Sequence, residues 1–158
     1  MYRTLLKFKN YDVHSITTCT PDGRRNANIA TWVMQTALSG KMLTVALYEI
    51  DYTIELVRES GLFNVNLLAQ DQTGLIQKLG RKSGRDTDKF RRLAHALDDR
   101  GCPYLTGAVG YVACRVTGTV RAGDHTLFVG EVLRQVILHP EKPVLTNQYL
   151  RERGLVRG

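Results

Sequence analysis

The sequence predicts a mainly β chain that closes into a small barrel and carries two short helices. Three observations predict it. "LFNVNLL" (residues 62–68) alternates cleanly, with Phe63, Val65 and Leu67 on one face and Asn64 and Asn66 on the other, as a half-buried strand does. Near the C-terminal end, "YLTGAVGYVACRVTGTV" and "HTLFVGEVLRQVIL" are rich in β-branched and aromatic residues and are separated by the turn "AGD", the pattern of a long hairpin. Helical periodicity interrupts the strands too rarely for a doubly wound parallel sheet.

The remaining elements follow in order. "HSITTCT" is β-branched and runs into "PDG", a turn signal. "NANIATWVMQTAL" and "MLTVALY" read as two further strands on either side of "SGK". In "DYTIELVRESG" the period changes: Asp51 is placed to cap, Ile54 and Val57 share a face, and Gly61 is a stop. "DQTGLIQKLG" reads as a second short helix, with Leu75 and Leu79 one turn apart and Gly80 after its end. Neither a repeat nor a linker divides the 158 residues, which are read as one domain.

Composition narrows the function classes. No segment reaches the roughly 20 apolar residues of a membrane-spanning helix. The first residues lack the apolar core of a signal peptide, so the expected location is cytoplasmic. Cys19, Cys102 and Cys114 form no CxxC, are odd in number, and read as reduced, mostly buried thiols with no metal expected. There is no GxSxG, HExxH or Rossmann fingerprint. Residues 78–92, "KLGRKSGRDTDKFRR", hold seven basic residues against Asp86 and Asp88, a net +5 of the chain's +7. Such a concentration suits a phosphate-bearing ligand, against the plainer reading of a solvated loop.

Four segments could carry chemistry. In the basic loop, Gly80 and Gly84 allow close backbone approach, Ser83 offers a hydroxyl, and Lys82, Arg85 and Lys89 supply charge. Thr53 lies in the first turn of the first helix, where free N–H groups favour an anion, although Asp51 or Thr53 could equally be a cap. Trp32, beside Met34 and Gln35, is either core or one wall of a site whose strand amides meet the edge of a flat heterocycle. His125 follows the "AGD" turn with Asp124 beside it, and reads as turn chemistry or as a group at the lip of a cofactor site.

Taken together these segments resemble the flavin reductase-like domain family, the FMN-binding split barrels. "GDHTLFVGEV" (residues 123–132) is similar to that family's signature hairpin, and "YTIELVRESGLFNVNLL" to its helix-then-strand segment. "LGRKSGRDTDKF" is similar to its phosphate-side loop, and the likeness covers roughly residues 10–150, closest to the compact ferric reductase and flavoredoxin-like members. The resemblance implies a six-stranded antiparallel Greek-key split β-barrel with two or three short helices, working as a homodimer with FMN between the subunits. It implies ring-edge contacts at Thr31, Trp32, Val33, Met34 and Gln35. Thr53, Lys82, Ser83 and Lys89 would hold the phosphate with Phe90 packed nearby, and His125 would stand by the ring or the entering nicotinamide. The family's small residues and Ser are replaced by Thr31, Trp32 and Val33, and its Pro-Pro pair by "SGKM".

The function implied is an NAD(P)H:flavin oxidoreductase that passes electrons to free flavin, a ferric chelate or a partner protein. Flavin chemistry needs no nucleophile or triad, which agrees with the missing motifs. The alternative is an FMN-binding electron carrier without a productive nicotinamide site, favoured by the bulk of Trp32. Nucleic acid is not expected as a partner, because the basic residues sit in one loop and are not interleaved with aromatics.

Overall fold

A computed structural model describes residues 4–155. Nine strands and three helices follow in the order β1 (His14–Cys19), β2 (Arg25–Ala27), β3 (Val33–Gln35), β4 (Met42–Tyr48), α1 (Tyr52–Ser60), β5 (Leu62–Leu67), α2 (Leu75–Gly80), β6 (His95–Leu97), β7 (Pro103–Leu105), β8 (Gly110–Ala122), β9 (His125–Ile137) and α3 (Asn147–Glu152). Seven of the strands form one antiparallel sheet in the order β2-β1-β5-β8-β9-β4-β3, and β6 and β7 form a separate hairpin.

The expected antiparallel β-barrel and its three short helices are present. The main difference lies in residues 26–38, expected as one strand. They supply β2, which pairs with β1 at one edge of the sheet, and β3, which pairs with β4 at the other. Between them, residues 28–32 join the two edges while staying hydrogen-bonded: Asn28 and Ala30 still bond to Ile16 and His14 of β1, and Trp32 O already accepts from Ala46 N of β4. Asn28 fixes the crossing: its Oδ1 accepts from Ile16 N at 3.0 Å and its Nδ2 donates to Asp51 Oδ2 at 3.1 Å.

Helix α1 forms as expected. Asp51 accepts from Thr53 N, and Gly61 ends the helix in the left-handed region at φ +68°. Its buried Ile54 and Val57 join Ile16, Val45, Phe63 and Phe128 in the barrel core. Gly80 closes α2 from within rather than following it. A second core beneath the basic loop gathers Ala27, Leu79, Phe90, Leu105 and Leu150.

Strand β5 departs from the half-buried expectation, since Asn64 and Asn66 are fully buried. The β6–β7 hairpin covers their face, so both amides must be satisfied by protein. Asn64 donates to Pro103 O (3.0 Å), while Asn66 donates to Ser15 O (3.0 Å) and accepts from Leu105 N (2.8 Å).

The long β8–β9 hairpin turns at Gly123 with φ +65°. Its register slips at Ala113/Cys114 and at Val116/Gly118, and such bulges bend the ladder and increase its twist. Gly110 opens β8 pressed against its partner strand, where a Cβ would lie 2.4 Å from the Val136 carbonyl oxygen. Because backbone cannot swing aside as a side chain does, Gly110→Ala should destabilise the fold by about 1–3 kcal/mol. Urea denaturation would register this as a lower midpoint.

Candidate functional site

Strand β3 is the last of its sheet, so one side of its backbone has no neighbouring strand. Ala46 N bonds to Trp32 O and Thr36 N to Met42 O. Antiparallel bonding alternates along a strand, so residues 32, 34 and 36 turn their backbone groups to β4. Thr31, Val33 and Gln35 turn theirs to the free edge. That edge offers alternating N–H and C=O groups, the complement of a heterocycle's edge. The five expected contact residues therefore divide. Thr31, Val33 and Gln35 line a groove of about 520 Å³ with Tyr11, His14 and Tyr111, while Trp32 and Met34 are on the opposite, exposed side.

On that exposed side His125 meets two aromatic rings. Its imidazole centroid lies 4.9 Å from Trp32 and 5.2 Å from Tyr48, the latter nearly parallel at 27°. Register explains the second contact, because Tyr48 and His125 pair directly across β4 and β9. Trp32 is 50% exposed, so the core reading of this residue does not hold. His125 Nδ1 lies 2.7 Å from Asp124 Oδ1, and this hydrogen bond draws the Asp124 carboxyl below the usual range.

The next residue, Glu49, clamps this corner. Its carboxylate accepts from Arg58 Nη2 on α1 (2.9 Å) and from the Thr126 hydroxyl on β9, while Glu49 N donates to Asp124 O (3.0 Å). Arg58 first, and Thr126 with it, hold the Glu49 carboxyl down at about 2. Tyr48 and Glu49 were missed by sequence reasoning; the signal available was that "LYE" ends a period-2 strand facing the start of the signature hairpin.

A second, polar cleft of about 410 Å³ opens between the β1–β2 turn, the start of α1 and the basic loop. Arg24, Arg25, Tyr52, Gly84 and Arg85 are among its lining residues. None of the expected phosphate residues is itself in this lining: Thr53, Lys89 and Phe90 are buried, Lys82 is exposed, and Ser83 precedes the lining residue Gly84. Thr53 is fully buried and accepts from Asn26 Nδ2 at 2.9 Å. Asn26 in turn lies under Gly84, where a Cβ would come within 2.1 Å of its Oδ1.

Lys89 is also buried, its Nζ donating to Ala27 O and Leu79 O, each at 2.8 Å. Burial lowers its pKa, opposed by the charge of Asp51. It bolts the loop to β2 and α2. Phe90 is buried with the Arg25 guanidinium 4.8 Å over its ring. Ser83 accepts from Arg85 N (3.2 Å), and Lys82 is exposed. Most of residues 81–88 are exposed, as in a solvated loop, but Arg85 ties the segment to α1 through Glu55 and the Tyr52 ring.

Arg24 and Arg25, which line the cleft, follow the "PDG" turn and lie outside the charge run that drew attention to the loop. Arg24 is bridged to Asp22 and Glu59, and Arg85 to Glu55. What this arrangement can do is hold an anion at one end and a flat ring against a strand edge, with aromatic side chains beyond it.

Residues 10–151 match the model of the flavin reductase like domain. The chain belongs to this family. Among its relatives, a high molecular weight rubredoxin from Moorella thermoacetica is 30% identical over 88% of this chain and 61% of its own length. The chain thus spans less than two thirds of that protein. The reductase component of an FADH(2)-dependent resorcinol hydroxylase from Rhizobium sp. is 30% identical, over 91% of this chain and 80% of its own. A ferric-chelate reductase (NAD(P)H) from Archaeoglobus fulgidus is 28% identical, over 88% and 84%. Among solved structures, the flavin reductase PheA2 superposes with a TM-score of 0.75 at 27% identity, covering 91% of this chain and 93% of its own. The fold and the oxidoreductase class expected of the sequence agree with these relatives, as do a flavin and a nicotinamide as cofactors. Among the described residues no helix is long and apolar enough to cross a membrane.

Two outcomes test this geometry. Gly84→Ala should displace Asn26 from Thr53 and cost about 1–3 kcal/mol, read as a lower thermal midpoint. For Glu49, the depressed folded pKa means that its contribution is present above the unfolded value near 4.3 and is lost as pH falls through about 2. The urea midpoint of the wild type should therefore exceed that of Glu49→Gln at pH 5, and the gap should close as the pH approaches 2.

Proposed function

We propose that this chain is an NAD(P)H:flavin oxidoreductase that binds FMN from the β3 edge to the basic cleft and works as a homodimer. The observation that carries the reading is the unpaired β3 edge at Thr31, Val33 and Gln35, next in the chain to Trp32 of the Trp32–His125–Tyr48 cluster, together with a polar cleft lined by Arg25, Gly84 and Arg85. The residues present fit the ligand. The backbone of Thr31, Val33 and Gln35 matches the hydrogen-bonding edge of the ring. Gly84 packs its backbone onto Asn26 at the cleft, and Arg25 and Arg85 line it where they would face a phosphate, with Ser83 next to Gly84. Thr53 and Lys89 set the floor of that site by holding Asn26, β2 and α2, and Phe90 supports Arg25 from below.

FMN, when bound, would supply the hydride-transfer chemistry between a nicotinamide and free flavin, a ferric chelate or a partner protein. The chain's residues bind and orient. His125, steadied by Asp124 and by the Glu49 clamp, offers Nε2 toward an entering carboxamide. Trp32 and Tyr48 exclude water around it. Homodimerisation is supported by exposed apolar residues on the β8–β9 hairpin, Val120, Leu133 and Ile137, at 59%, 46% and 75% exposure. A partner-protein acceptor is supported by the relative that serves as the reductase component of a hydroxylase. The second reading, an FMN electron carrier, is favoured by Trp32 standing beside His125, where it narrows the approach of a nicotinamide.

Purified protein should be yellow and should bleach within seconds of anaerobic addition of NADH or NADPH. Yellow protein that stays oxidised would instead favour the carrier, and colourless protein that binds no added FMN would overturn both. Ser83→Ala removes one hydrogen bond to a charged phosphate, worth about 1.5–3 kcal/mol, so FMN affinity measured by fluorescence quenching should fall roughly 10- to 100-fold.

A further inference from the structure

Two cysteines 83 residues apart in sequence meet in the fold. Cys19 ends β1, Cys102 immediately precedes β7, and their Sγ atoms are 2.6 Å apart, well inside the contact distance of two unbonded sulfurs. No disulfide joins them in this structure. We propose that Cys19 and Cys102 form a redox pair that hydrogen peroxide converts to an intrachain disulfide, a modification site outside the flavin cleft.

Both sulfurs are held in place by independent contacts. Asp98 accepts from the backbone N–H groups of Arg100 and Cys102, each at 2.9 Å, and Asp98 N donates to Cys102 O at 2.8 Å. Gly101 makes the turn at φ +79°. Arg100 bonds to Asp98 (2.9 Å) and to Asn64 (2.8 Å), which locks this turn to β5. On the other side, the Thr18 hydroxyl donates to Leu62 O at 2.6 Å and fixes the end of β1. A bond between the sulfurs therefore joins elements that are already in place and needs no backbone rearrangement.

The two thiols have different roles. Cys19 is partly exposed and Cys102 is buried. The adjacent Cys102 sulfur lowers the pKa of Cys19 against its partial burial, and the same contact raises that of Cys102, with burial adding to it. Cys19 is thus the nucleophile and Cys102 the resolving thiol.

The Cys19 thiolate attacks one peroxide oxygen, an S–O bond forms as the O–O bond breaks, and the departing hydroxide takes a proton to become water. The Cys102 sulfur then attacks the resulting sulfenic acid. An S–S bond forms, the S–O bond breaks, and a second water leaves with the Cys102 proton. Two thiols lose two electrons together, and one peroxide is reduced to two waters. Cys114 is a bystander, buried in the barrel core with its thiol pushed up to about 12 by desolvation.

The test treats the protein as purified with one equivalent of hydrogen peroxide. Thiols are then counted under denaturing conditions, and non-reduced peptides are mapped by mass spectrometry. Wild type and Cys114→Ser should each lose two thiols and yield a peptide joining residues 19 and 102, reversed by dithiothreitol. Cys102→Ser should stop at a sulfenic acid on Cys19 trapped by dimedone, and Cys19→Ser should react far more slowly. The oxidised wild type should melt several degrees higher, because the link closes a long loop. An unchanged thiol count, a disulfide containing Cys114 or joining two chains, or equally fast oxidation of Cys19→Ser would overturn the proposal. None of these readouts involves flavin, so they succeed or fail independently of the cofactor reading.

Discussion

Seven strands at about 4.8 Å spacing make a flat sheet roughly 29 Å wide from first strand to last. In this chain the first and last strands, β2 and β3, are consecutive in sequence and are joined only by residues 28–32. That connection spans at most about 21 Å when fully extended. The sheet therefore has to curl until its edges approach, and the barrel is a consequence of a short tether. Asn28 holds the tether in register against β1 and, through Asp51, against the start of α1. Much else follows from that amide. The helix is capped by the residue Asn28 binds, and its apolar face seals the barrel.

The same tether decides where binding chemistry is placed. It delivers Asn26, just before the seam, to the buried Thr53, and Trp32, just after it, to His125. The two ends of the candidate site are thus six residues apart in sequence and need no long-range coincidence to coexist. Charge on the anion side is arranged in pairs rather than left as a bare patch. Arg24, outside the loop, faces Glu59, and within the loop Arg85 faces Glu55, so the Glu55 carboxylate offsets one charge of the loop's net +5.

What the sequence made legible was local. The Asp51 cap, the Gly61 stop and the Gly123 turn each follow from one residue's own chemistry, and each is where it was expected. What stayed hidden depended on partners distant along the chain. Alternation in β5 correctly separates its asparagines from its apolar residues, yet it cannot reveal that a hairpin 39 residues away covers the polar face and buries both. The uninterrupted β character of residues 26–38 gave no sign that one stretch serves both edges of a sheet. Lys89 read as a charge for a phosphate because nothing in its neighbourhood shows that two backbone carbonyls lie within its reach. Tyr48 was unremarkable until the β4–β9 register set it opposite His125.

An exposed strand edge is a template on which another chain can add its own strand. Joining the sheet's two ends through residues 28–32 shelters most of that edge, and β3 contributes only three residues to what is left. With Trp32, Met34 and Leu38 exposed around it, this remnant, where the proposed flat ligand would lie, is also a seed for self-association. A ligand bound there, as proposed, would cover that seed, so the ligand-free protein is the form expected to self-associate beyond the proposed dimer.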